Sequence, residues 1–225
     1  MNFEFEERAS ASSFVQTLWR THSEQKGTFI SRAESHCELV FTQSQGNTSL
    51  TVRGPETRAT LADCPGEAEF FGIQLRVGSF IPPLPSPHLV DRHATLPNAT
   101  RHSFWLNDSA WFFPKFEDAD LFVERLARQG LLRFEPIVKA ALQDELCLNL
   151  LSTRSVQRRF LQATGVTHRT LRQIERAQAA ASLLECGMSI ADVVQTLNFS
   201  DQPHLTKTLK RLIGQTPARL SAFGE

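Results

Sequence analysis

The sequence predicts an α+β protein, with a β-rich first half and an all-α second half. Three observations carry this. Apolar residues alternate with a period of two up to about residue 80 and recur at helical spacing from about residue 117. The last 75 residues are divided at regular intervals by capping and stop residues. The charge is also unevenly divided. The 225-residue chain holds 24 basic and 24 acidic residues, but residues 1–136 carry 13 Lys/Arg against 17 Asp/Glu and residues 137–225 carry 11 against 7. An acidic half followed by a basic one suggests two domains, the second facing a polyanion. With 41% hydrophobic and 21% charged residues the chain has enough apolar material for a core, which excludes disorder along its length.

In the first half, Phe14 to Trp19 is β-branched and aromatic, and predicts a strand. Glu38–Thr42 and Ser49–Arg53 predict two short strands joined by a turn at Gln45-Gly46-Asn47. The clearest strand is Glu69–Val77, where Phe71, Ile73, Leu75 and Val77 share one face. Gly54-Pro55 and Cys64-Pro65-Gly66 punctuate these strands. Residues 81–87 are too rich in proline for a regular element and predict an extended loop, on the surface or across a barrel mouth. Six aromatic residues, Phe104, Trp105, Trp111, Phe112, Phe113 and Phe116, read mainly as core, with some free to line a ligand pocket or a dimer face. Leu121, Phe122, Val123 and Leu126 then predict a helix that stops at Gly130. The domain boundary is expected near 130–136, giving a β-rich domain over 1–130 and a helical one over 131–225.

Beyond Pro136 no strand is predicted. Ser152 caps a helix to about Thr164, stopped by Gly165. Thr167 caps a long helix to about Cys186, stopped by Gly187. The Ser189-x-x-Asp192 spacing is a capping box for a short helix ending near Leu197, where Asn198 suits a left-handed turn. A helix from about Asp201 to Ile213 ends at Gly214, and Thr216-Pro217 starts a last turn or two. Two helix-turn-helix units result. In the second, Ile190–Leu197 supports a recognition helix over Gln202–Ile213. Leu205, Leu209 and Leu212 face inward and Gln202, His204, Thr206, Lys207, Lys210 and Arg211 face out. In the first, Val156 and Phe160 face inward, leaving Arg154, Gln157, Arg158 and Arg159 outward. Such side chains suit a major groove: Arg pairs with guanine, Gln with adenine, and Lys meets phosphate.

These residues resemble the AraC/XylS family of transcription regulators. The resemblance rests on Leu151-Ser-Thr-Arg-Ser-Val-Gln-Arg-Arg-Phe160, Thr164-Gly165, Gln173-Ile-Glu-Arg-Ala177, Ser189-Ile-Ala-Asp-Val193, Asn198-Phe-Ser-Asp-Gln-Pro-His-Leu205 and Gly214-Gln-Thr-Pro217. It covers about residues 136–220. It implies two helix-turn-helix units joined by a linker helix, with reading positions at Arg154, Gln157 and Arg158 and at Gln202, His204, Thr206 and Lys207. A linker over His168–Cys186 spans roughly 28 Å, near the ~34 Å between successive major-groove segments on one DNA face. The sequence departs from the family twice. Asn198 replaces the usual Gly. In the first support helix, Asp144–Leu151, Leu146 and Leu150 stand where a small crossing residue and a turn Gly are usual. The resemblance further implies a cupin-like or partial-barrel sensing domain in the first half, a homodimer, a small-molecule effector and, for an activator, contact with RNA polymerase. Arg53–Thr57 and Gly72–Phe80 carry the weaker likeness to such domains.

Two rival readings give an enzyme or a non-DNA-binding interaction module. A metal-dependent cupin needs His-x-His, which is absent; His88, Asp91 and His93 are the nearest cluster. His36 beside Cys37 would point to opposite faces of a strand. No nucleophile elbow, phosphate loop or dinucleotide fingerprint occurs, so neither catalytic residues nor a cofactor are expected. The four cysteines, Cys37, Cys64, Cys147 and Cys186, lack metal-ligand spacing and read as free thiols in a reducing compartment. The N-terminus lacks the features of a signal peptide and no apolar run is long enough to cross a membrane, so a cytoplasmic protein is expected.

Overall fold

A computed structural model describes residues 5–143 and 152–222 of the chain. It has a β-rich N-terminal part followed by helices, as the periodicity predicts. The strands are β1 (Glu6–Arg8), β2 (Val15–Ser23), β3 (Gly27–Ser31), β4 (Glu38–Ser44), β5 (Asn47–Arg53), β6 (Thr60–Cys64), β7 (Ala68–Leu75), β8 (Ser79–Phe80), β9 (His93–Thr95), β10 (Asn98–Thr100), β11 (Ser103–Leu106), β12 (Ser109–Phe112) and β13 (Arg133–Phe134). The helices are α1 (Ala119–Arg128), α2 (Pro136–Leu142), α3 (Thr153–Thr164), α4 (His168–Glu185), α5 (Ile190–Thr196), α6 (Gln202–Leu212) and α7 (Pro217–Ser221). Among the described residues no helix is long and apolar enough to cross a membrane. The described residues form two compact units, the first within residues 1–27, 36–55 and 63–168 and the second within residues 28–35, 56–62 and 169–225.

The first unit is built on a six-stranded sheet in the order β1-β2-β7-β4-β5-β9, every neighbouring pair antiparallel. The β4–β5 hairpin closes more tightly than expected. Asn47 pairs with Ser44, so the turn is only Gln45 and Gly46, both with positive φ (50° and 74°), as a two-residue hairpin of right-handed twist requires. Leu18, Leu39, Leu50, Ile73 and Leu75 bury one face of this sheet. Gly72 lies under Trp19, and a Cβ there would come within 2.1 Å of the indole ring. Most of the aromatic stretch joins the core. Phe104, Trp111 and Phe116 are buried, and Phe122 of α1 meets Phe41, Trp111 and Phe104 at edge-on geometry. Trp105 and Phe112 are exposed on the outer face of the β10-β11-β12 sheet. The proline-rich loop contains one 3-10 turn at Ser86–His88, which Pro85 and Pro87 permit because a first turn needs no N–H donors.

The second unit is a helical core closed by two short segments from the N-terminal part. Ile174, Ala177, Ala181 and Leu184 of α4 pack with Val193, Phe199, Leu205, Leu209, Leu212 and Leu220. The predicted punctuation is realised. Ser189 Oγ accepts from Asp192 N–H, Asp201 accepts from His204 N–H and Thr216 accepts from Arg219 N–H. Gly187, Asn198 and Gly214 all have positive φ, 86°, 54° and 79°. Asn198 thus takes the left-handed turn in place of glycine.

Candidate nucleic-acid interface

The α3 helix starts at Ser152, whose hydroxyl accepts from Ser155 N–H at 3.3 Å, and ends at Gly165 in the left-handed conformation. Phe160 anchors its inner side. Arg154, Gln157 and Arg158 are exposed along its outer side, as expected. Arg159 departs from expectation. Its guanidinium forks onto the Glu135 carboxylate at 2.8 and 3.1 Å, so it braces α3 rather than facing outward freely. Val156 is only half-buried. The expected support helix Asp144–Leu151, with the Leu146 and Leu150 departures, lies outside the described residues. Pro136–Leu142, capped by Glu135 accepting from Ile137 N–H, packs on α3.

The α6 helix buries Leu205, Leu209 and Leu212 and exposes Gln202, His204, Lys207 and Lys210. Thr206 is half-buried at the flank of this surface. His204 is oriented twice over. Its Nδ1 lies 3.0 Å from Ser200 Oγ, and its ring meets Phe199 edge-on at 5.5 Å. Phe199 is in turn covered by the Arg176 guanidinium at 4.4 Å. Arg211, expected outward, leans on α4 and donates to Gln173 at 3.3 Å. Sequence reasoning missed the Arg176–Phe199 and Arg211–Gln173 braces because each joins residues far apart in the chain.

The first unit contains a cavity of about 670 Å³ over one end of its sheet. Its position follows from register. Leu18, Ile73, Leu39 and Val52 form one apolar row across β2, β7, β4 and β5; the next row is Arg20, Phe71, Phe41 and Leu50. The third row is polar throughout: His22, Glu69, Gln43 and Thr48. The cavity lies over the second and third rows, with Phe41 and Phe71 stacked at 4.4 Å as its floor and Lys115 and Phe116 on its wall.

Elsewhere the chemistry is quiet. Among the described residues no three His, Cys, Asp or Glu side chains gather into a possible metal site. Cys37, Cys64 and Cys186 are free. Burial pushes the Cys37 thiol up to about 11 and the neighbouring His36 down to about 4, so neither is an activated nucleophile or base.

Capped turns, buried inner stripes and polar outer faces are the features of a helix-turn-helix domain. Residues 150–222 match the family described as "Helix-turn-helix domain". The chain is similar to the HTH-type transcriptional regulator RipA of Corynebacterium diphtheriae, 33% identical over 98 residues, covering 44% of this chain and 29% of that one. It is also similar to RipA of Corynebacterium glutamicum, 32% identical over 83 residues, covering 37% and 25%. The chain thus spans less than a third of the length of these relatives. Among solved structures it is similar to ToxT from Vibrio cholerae, at a TM-score of 0.42 and 11% identity over 97% of this chain and 98% of that one. A second is ToxT bound to (E)-4-(8-methylnaphthalen-1-yl)but-3-enoic acid, at 0.45 and 11% over 98% and 99%.

Proposed function

We propose that this chain is a sequence-specific DNA-binding regulator of transcription acting in the cytoplasm, in which α3 and α6 each read a major-groove segment. The observation that carries this reading is the matched helix-turn-helix domain, whose two candidate helices each hold an apolar stripe inward and Arg, Gln, His or Lys outward. On α3 the reading residues are Arg154, Gln157 and Arg158. On α6 they are Gln202, His204, Thr206 and Lys207, with Lys210 on phosphate. His204, held through Nδ1, presents its other ring nitrogen to a base edge.

The first unit supplies control. Its cavity suits a small molecule with a flat apolar body over Phe41 and Phe71 and a polar head against the His22–Glu69–Gln43–Thr48 row. The exposed Trp105 and Phe112 support self-association as a homodimer through the outer face of β11 and β12. An activating role would add contact with RNA polymerase.

The test separates base reading from phosphate binding. A duplex selected by the full chain from a random pool is compared with random DNA by mobility shift at several salt concentrations. Gln157→Ala or Arg154→Ala is expected to weaken the selected duplex by about 1–3 kcal/mol and leave random DNA nearly unchanged. Lys210→Ala should weaken both alike and lower the salt slope by about one unit. Equal losses on both duplexes for Gln157→Ala and Arg154→Ala would reduce α3 to a phosphate grip.

A further inference from the structure

A free helix leaves its last four carbonyls without partners, and the reading helices here do not end freely. In α3, Leu161 O accepts from Gly165 N–H and Phe160 O from the Thr164 hydroxyl. Ala163 O accepts at 2.9 Å from the hydroxyl of Ser86, which is 1% exposed in the proline-rich loop. The approach is close: a Cβ on Gly165 would lie 2.7 Å from Ser86 O. In α6 the arrangement recurs with different donors. Leu212 O accepts from Ala33 N–H at 2.7 Å, and Arg211 O accepts from Ala59 N–H at 2.8 Å.

The α6 donors are themselves fixed. Glu34 and Glu56 exchange backbone hydrogen bonds at 3.0 and 2.8 Å, tying the two segments together. Gln178 of α4 donates to Ala33 O at 2.9 Å and to the Glu34 carboxylate at 2.7 Å, and Arg32 pairs with Glu185 at 2.6 Å. Ala33 is fully buried in the same apolar cluster as Leu209 and Leu212. Ile30 lies so near Gly214 that a Cβ there would stand 2.7 Å from it.

We infer that the N-terminal half supplies the C-terminal cap of each reading helix, with Ser86 the positioning residue for α3, and the Arg32–Glu34 segment and Ala59, held by Gln178, positioning α6. The inference rests on the proposal that α3 and α6 read DNA. A base-reading side chain discriminates only while its helix holds one placement, whereas a phosphate contact tolerates small displacement. These capping groups therefore govern sequence discrimination without touching DNA. The α6 caps also flank a hairpin: Glu34 is four residues before β4 and Ala59 six residues after β5, the two strands that carry Phe41, Gln43 and Thr48 of the cavity.

The test uses the full chain and two uncharged changes, Ser86→Ala and Gln178→Leu, which leave the phosphate attraction unaltered. Affinity is measured on the duplex selected by the wild-type chain, on random DNA, and on duplexes substituted base by base. Each variant is expected to lose about five- to tenfold on the selected duplex and nothing on random DNA. The lost discrimination should fall in one half of the site for Ser86→Ala and in the other for Gln178→Leu. In the absence of DNA, amide hydrogen exchange in the last turn of α3 or of α6 should quicken by a similar factor. Unchanged exchange would overturn the capping role. Quickened exchange with equal losses on selected and random DNA, or with losses spread over the whole site, would overturn the positioning role. A wild-type chain that selects no sequence would instead refute base reading, and the exchange measurement would still decide the caps.

Discussion

Leu209→Ala is expected to destabilise the second unit by about 2–5 kcal/mol, the usual cost of emptying a fully buried leucine site that cannot collapse. Leu209 has no exposed surface and sits on α6 among Ile174, Leu184, Leu205 and Leu212. Its carbonyl also accepts from Ile213 and Gly214, so the helix end turns directly above it. Collapse around the vacancy is opposed by small neighbours. Ala177, Ala180 and Ala181 of the same apolar cluster have no longer side chain to lend. The three tryptophans, Trp19, Trp105 and Trp111, all belong to the first unit, which makes the prediction measurable. In urea, helical circular dichroism should move to a lower midpoint while tryptophan fluorescence keeps its own. A shared shift would mean that the units unfold together, and an unmoved helical transition would refute the assigned core.

The helical half was the more legible in sequence, for a local reason. Its boundaries are set by residues that act on their own neighbours: Ser152, Ser189, Asp201 and Thr216 accept from N–H groups three positions on, and Gly165, Gly187, Asn198 and Gly214 take positive φ at the helix ends. What the sequence could not reveal was non-local. Arg159 read as an outward side chain because its partner, Glu135, lies 24 residues away. The cavity's polar row depends on His22 facing Glu69 and Gln43 facing Thr48, which only register decides. Strands such as β3 and β6 escaped notice because they are five residues long and half-exposed. The caps of α6 were the least legible of all. They come from the backbone N–H groups of two alanines, and an alanine carries no mark of what its backbone will bind.

The first unit should lose stability in mild acid, and His36 should account for the loss. His36 is buried beside the start of β4, and burial, aided by the charge of Arg53, pushes its pKa down from the ordinary 6.5 to about 4. Between these values the unfolded chain binds a proton that the folded chain refuses. Stability is therefore fully present above pH 6.5 and falls as the pH drops toward 4. At about 1.36 kcal/mol for each pKa unit the loss reaches about 3 kcal/mol at the foot of that window. Asp120 acts in the same direction but lower. Burial works to raise its carboxyl, yet hydrogen bonds from Ser10 and Arg8 and the Arg8 charge outweigh this and hold it below the usual carboxylate range. Its contribution persists through the His36 window and is lost only in stronger acid. Fluorescence-detected urea midpoints at pH 7.5 and pH 5 isolate the histidine. The wild-type midpoint should fall between them, and His36→Gln, which cannot take up a proton, should flatten the difference. An equally steep fall in His36→Gln would place the titrating group elsewhere.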